Sequence, residues 1–176
     1  MNQTMPKSPR QPPAPYSWLW LLVSAAVVWA DRVTKEWASE VLVLYRPREV
    51  LSWLNMTLAH NYGAAFSFLS DAGGWQRWFF TALAAVVSFI LIVWVLRLPR
   101  RQWLTGLALS LVIGGALGNL SDRVQLGYVV DFVDVHYLGW HWPAFNVADS
   151  AIVCGVALII ADGLFQPGRK GMKGRG

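Results

Sequence analysis

The chain has 176 residues, is 55% hydrophobic and only 14% charged, and carries a formal net charge of +5. Soluble domains hold roughly 25% charged residues, so this composition excludes both an ordinary soluble globule and a solvated polyelectrolyte. A lone cysteine, Cys154, excludes an internal disulfide and makes a poor metal site.

Residues 1–15 hold five of the nine prolines and little that is apolar, the composition of an extended or disordered tail. A first membrane span follows at about 16–38. Lys7 and Arg10 ahead of an apolar run resemble a cleavable leader, but Ala30 is followed by Asp-Arg-Val-Thr-Lys and no small-residue cleavage pattern. The span is therefore read as retained.

Residues 39–74 are too long for a bare connector. Residues 41–45 (VLVLY) are β-prone, Arg-Pro-Arg at 46–48 makes a turn, and Leu54, Met56 and Leu58 alternate with Trp53, Asn55, Thr57 and Ala59. Period two predicts strands, hence a small sheet against the membrane surface. After it comes His-Asn-Tyr-Gly, where Gly63 permits a sharp turn or a close backbone approach.

Two further spans are predicted at 75–96 and 103–121, and residues 78–96 and 103–121 contain no charge. Each run approaches the roughly 20 residues that a helix needs to cross a bilayer. Gly114, Gly115, Ala116 and Gly118 make the third span thin enough for another helix to press against it. A second loop is read at 122–145, a fourth span at 146–165, and a basic tail at 166–176. With four spans, Lys7, Arg10, Arg97, Arg100, Arg101, Arg169, Lys170, Lys173 and Arg175 all fall on one side. Cations are retained in the cytoplasm, so both termini are expected there and both long loops outside. Most of the eleven tryptophans fall near span ends, at headgroup level. Nothing suggests a nucleic-acid footprint.

The polar residues gather at the outer ends of these spans. Asp31, Thr34 and Lys35 close the first, Asn61 comes from the outer loop, and Asn119, Asp122 and Arg123 close the third. Asn146 and Asp149 open the fourth, with Asp131 in the loop before it. A carboxylate near the bilayer core costs about 2.5–3.5 kcal/mol on insertion scales, so such groups tend to be paired and functional. Asn146 and Asp149 also fit a helix cap and capping box, which leaves Asp131 unexplained. Two carboxylates held together share a proton, and such a pair suits peptide hydrolysis. A metal site from Asp131, Asp134, His136, His141 and Asp149 has no standard ligand spacing; Asp134 is read as a solvated charge. Ser150 lacks a base and an elbow motif. A proton-coupled transporter and a non-catalytic lipid-binding subunit are the rival classes, but a transporter predicts acids spread across the membrane depth.

At these residues the sequence resembles the lipoprotein signal peptidases (signal peptidase II) of bacteria. The matching pieces are D-R-V-T-K from Asp31, N-Y-G-A-A-F from Asn61, G-N-L-S-D-R from Gly118, V-V-D-F from Val129 and F-N-V-A-D-S from Phe145. Ser121 stands where an apolar residue is expected. The resemblance implies an aspartic endopeptidase of the bacterial cytoplasmic membrane, cutting prolipoproteins just before a diacylglyceryl-modified cysteine. Asp131 and Asp149 match the catalytic pair. Asn61, Asn119, Asp122, Arg123 and Asn146 match the surrounding polar shell, with Asp31 and Lys35 as a supporting pair. Gly63 and Ala64, small and next to Asn61, are expected on physical grounds to let substrate backbone approach closely. The implied fold is an all-α membrane protein of four transmembrane helices, with a small extracytoplasmic sheet forming a cradle and a short extracytoplasmic helix between spans three and four. No cofactor or metal is expected. The partners would be lipidated signal peptides and membrane lipid, and the enzyme would act as a monomer.

Overall fold

A computed structural model describes residues 12–63 and 74–165. Ala64, Ala65 and Phe66 of the asparagine motif and most of both expected tails lie outside them. The described residues form four α-helices, α1 (Trp20–Val41), α2 (Trp75–Leu96), α3 (Trp103–Gln125) and α4 (Val147–Phe165), with a 3-10 turn at Ser17–Leu19 leading into the first. Four strands, β1 (Arg48–Leu51), β2 (Leu54–Asn61), β3 (Val129–Tyr137) and β4 (Trp140–His141), form one antiparallel sheet in the order β1-β2-β3-β4. The protein is thus a helix bundle with an integral sheet, and the all-α expectation is corrected.

Helix α3 is central and packs against α1, α2 and α4. Its small residues are the reason. A Cβ at Gly115 would collide with the Ala148 carbonyl of α4, and one at Gly118 would lie 2.6 Å from Asp31 Oδ2 of α1. On α1, Ser24, Asp31, Lys35 and Ala38 are buried along one stripe, the i, i+4, i+7 pattern of a helix face turned inward.

Three helices, Trp75–Leu96, Trp103–Gln125 and Val147–Leu164, are long and apolar enough to cross a membrane. The expected first span is a helix of adequate length, but Asp31, Arg32, Lys35, Glu36 and Glu40 crowd its second half, and it falls outside that set.

The sheet differs from expectation in three places. Residues 41–45 form no strand: α1 runs through Val41, and Leu44 makes only an isolated bridge to Leu58. Residues 122–125 continue α3. The short helix expected between α3 and α4 is absent from that segment, which carries β3 and β4 instead. Val129, Val130, Val133 and Val135 pack well on a pleated surface and poorly in a helix. Consequently Asp131 lies on a strand paired with Ala59 of β2, and a bulge between Met56 and Ala59 adjusts the register there.

Two apolar clusters hold the molecule. Ala38, Leu42, Leu58, Val130 and Phe132 join α1 to the sheet. Val95, Leu98, Leu109 and Ile113 join α2 to α3 toward the far end, where Arg97, Arg100 and Arg101 line the α2–α3 turn and the Ala14 N–H donates to the Leu98 carbonyl at 2.9 Å.

Candidate active site

The site is built where the C-terminal ends of α1 and α3 meet β3 and the first turn of α4. Asn146 caps α4, its Oδ1 accepting the Asp149 backbone N–H at 2.9 Å, the N-cap to N3 bond that asparagine favours. Asp149 does not reach back as a reciprocal capping box would require. Its Oδ1 instead accepts Asn119 Nδ2 of α3 at 2.7 Å.

Asn146 Nδ2 reaches Asp131 Oδ1 at 2.7 Å and Asn119 Oδ1 at 3.2 Å. The two carboxylates are therefore joined through a pair of amides, Asp131–Asn146–Asn119–Asp149. Asn61 Nδ2 donates to the other Asp131 oxygen at 3.0 Å, while its Oδ1 accepts the Gly63 N–H at 2.9 Å. Gly63 has φ +97°, and a Cβ there would meet the Phe80 ring at 3.0 Å, so a side chain at 63 is opposed by both backbone and space.

Beneath this pair lies a buried cation. Lys35 Nζ contacts Asp31 Oδ2 at 2.7 Å, Asp122 Oδ2 at 2.8 Å and Asn119 Oδ1 at 3.0 Å. Asp31 also accepts the Ala148 N–H of α4 at 2.9 Å, and Asp122 accepts the Val130 N–H of β3 at 3.2 Å. Lys35 and Asp31 are almost wholly buried, which is tolerable only because the charges are paired and hydrogen-bonded. Arg123 lies over the Phe80 ring at 5.5 Å and within electrostatic reach of Asp149, Asp131 and Asp122.

Burial and then the charge of Asp149 push Asp131 up to about 7, against the opposing hydrogen bonds from Asn61 and Asn146 and the charge of Lys35. An acid that holds its proton near neutrality beside a second carboxylate has the arrangement needed for paired acid and base chemistry.

Every predicted site residue falls in or against this cluster: Asp131, Asp149, Asp31, Lys35, Asn61, Gly63, Asn119, Asp122, Arg123 and Asn146. The residues of the alternative metal reading divide. Asp134 pairs with His141 Nδ1 at 2.8 Å and accepts Asn55 and Thr57. It is buried, not the solvated charge expected. Burial raises its pKa, but the bonds from His141 and Asn55 outweigh that and hold it below the ordinary value.

One contributor was missed. Arg77 of α2 donates from Nε to the Arg123 carbonyl at 2.7 Å and from its guanidinium to the Val124 carbonyl at 3.0 Å. It closes the C-terminus of α3, where a cation is favoured. The available signal was a single arginine in the first turn of an otherwise charge-free helix.

A groove of about 560 Å³ opens beside Asp149, walled by Trp142, Pro143, Ala144 and Phe145 on one side and Ser150, Val153 and Cys154 of α4 on the other. Its lining is mostly apolar, with Asp149 the one charged residue in it.

Residues 23–165 match a family model described as Signal peptidase (SPase) II. A lipoprotein signal peptidase of Teredinibacter turnerae is 57% identical over 146 residues, spanning 83% of this chain and 87% of its own. A lipoprotein signal peptidase of Acinetobacter baumannii is 53% identical over 151 residues, 86% of each chain. A solved bacterial membrane enzyme superposes with TM-score 0.78 at 32% identity, covering 95% of this chain and 100% of its own.

Proposed function

Because the chain belongs to the signal peptidase II family, we propose that it removes signal peptides from prolipoproteins by an aspartic mechanism, with Asp131 and Asp149 as the catalytic pair. The observation that carries this reading is the joining of these two carboxylates, from β3 and α4, through Asn119 and Asn146.

Asp149, in the first turn of α4, is the base, since the helix dipole favours an anion there. Asp131 is the acid, consistent with its raised pKa. Asp149 accepts a proton from water as the water oxygen attacks the scissile carbonyl carbon, and Asp131 gives its proton to the carbonyl oxygen. When the tetrahedral species collapses, the leaving nitrogen takes the proton from Asp149, the C–N bond breaks, and the carbonyl oxygen returns a proton to Asp131. Arg123 supplies fixed positive charge beside the developing oxyanion. The apolar groove beside Asp149 suits lateral entry of a lipidated precursor cut just before its diacylglyceryl cysteine.

The membrane arrangement belongs to the same proposal. Helix α1 is the fourth span: Asp31 and Lys35 neutralise each other inside the bundle, and Arg32 pairs with Glu36 at 2.8 Å on its surface. Arginines at the α2–α3 turn support a cytoplasmic position for that end in a bacterial inner membrane, with the sheet outside. One copy supplies both acids, so a monomer suffices.

The test uses purified protein and a lipidated precursor. The parent protein cleaves it, while Asp131→Asn and Asp149→Asn each lose about 10³-fold or more in rate with unchanged circular dichroism. An inert parent, or an Asn variant that still cuts at a comparable rate, removes the reading.

A further inference from the structure

The tip of the β3–β4 hairpin, residues 137–142, lies outside the catalytic cluster that Asp131 of β3 joins, and its composition is unusual for a tip facing water. Tyr137, Leu138, Trp140 and Trp142 are 72, 87, 61 and 56% exposed, and residues 137–145 hold no Asp, Glu, Lys or Arg. The single titratable side chain with a charged partner there, His141, is paired with Asp134. Leu138 and Gly139 form a two-residue turn with φ +48° and +82°, the geometry that usually recruits Asn-Gly. A leucine in this backbone conformation carries a steric cost, and here it also puts the most exposed large apolar side chain at the tip. Local folding gives no reason for that choice.

The two edges of the sheet contrast. The β1 edge, with the turn before it, sets Arg46, Arg48 and Glu49 beside exposed Val50 and Leu51, whereas β4 presents Trp140 and His141 with no Asp, Glu, Lys or Arg. Charge on an edge blunts pairing and keeps it in water. The β4 edge has no such protection, and the same hairpin returns over the lipid-facing side of α4. Trp142 and Phe145 share one groove with Val153 and Cys154, and Val153 is 67% exposed on a helix long and apolar enough to cross a bilayer. The apolar hairpin is therefore continuous with a surface that acyl chains cover.

We propose that the β3–β4 hairpin is a membrane-inserted wedge, with Leu138, Tyr137 and Trp140 seated in the lipid leaflet on the sheet side of the bundle. Indole rings beside an aliphatic tip match the interfacial zone, where an apolar body and a polar N–H are both satisfied. Insertion anchors β3, and hence Asp131, at a fixed depth relative to α4. The hairpin needs only a membrane-crossing α4, so its insertion holds whether or not the carboxylate pair cuts peptides.

The test places an environment-sensitive fluorophore on a single cysteine, introduced as Leu138→Cys or, as the control, Glu49→Cys, in a Cys154→Ser background. The protein is reconstituted into phosphatidylcholine–phosphatidylglycerol vesicles with iodide equilibrated on both sides. At position 138 the expected result is blue-shifted emission, quenching by nitroxides on the lipid chains, and loss of iodide quenching. At position 49 iodide quenches and the lipid nitroxides do not. Iodide quenching at 138 equal to that at 49 overturns the wedge. Protection at 138 from both quenchers overturns it in favour of a protein contact, such as a second copy of the chain.

Discussion

Asp131 accepts an amide N–H on each carboxylate oxygen and still stands at about 7, against an ordinary 3.8. Burial and the neighbouring Asp149 outweigh both bonds. In the proposed role of proton donor it must be protonated, so cleavage is expected to fall as pH rises through about 7. Asn61 favours the ionised form, and its removal favours the neutral one. Asn61→Ala should therefore move the falling limb of the pH–rate profile to higher pH, read on a lipidated precursor; a limb that moves down contradicts the acid role. Asp131 and Asp149 were both legible in the sequence, largely through the motifs that surround them. Their coupling through Asn119 and Asn146 was not, because contacts between residues 27 apart leave no periodic trace.

Helices α2 and α3 are readable because charge-free runs of bilayer length have few alternatives, and α4 because its apolar run carries acids only near its ends, Asp149 and Asp162. Strand β2 was readable from its period of two. Strand β3 reads as loop in the sequence because its first four residues, Val129 to Phe132, are all buried, and a strand covered on both faces loses the alternation that identifies it. The contact between α3 and α4 gives a direct test of packing. Gly115→Ala drives a methyl group toward the Ala148 backbone and should cost about 1–3 kcal/mol. Gly163→Ala, with nothing within 4 Å of its added carbon, should be neutral or slightly stabilising. Thermal unfolding in detergent separates them, and equal midpoints would contradict the close approach.

Across the whole molecule, Lys35 ties the first helix to the third by contacting Asp31, Asp122 and Asn119. Lys35→Met leaves two carboxylates in a buried place without their cation and should destabilise by about 3–5 kcal/mol. Arg32→Ala, which removes an exposed pair, should change stability by no more than about 0.5 kcal/mol. Denaturant titration of both checks the contrast; similar losses would mean that Lys35 is effectively solvated. The same cluster holds Asp31 against the Ala148 N–H, so the first helix of the chain braces the start of the last. During synthesis, a ribosome-bound chain that has released α1 to α3 into the bilayer still lacks Asn146 and Asp149, and its Asp31 has no helix end to grip. With Asp131 and Asp149 in the proposed roles, such a chain has only one of its two acids and cannot cleave until α4 has joined the bundle.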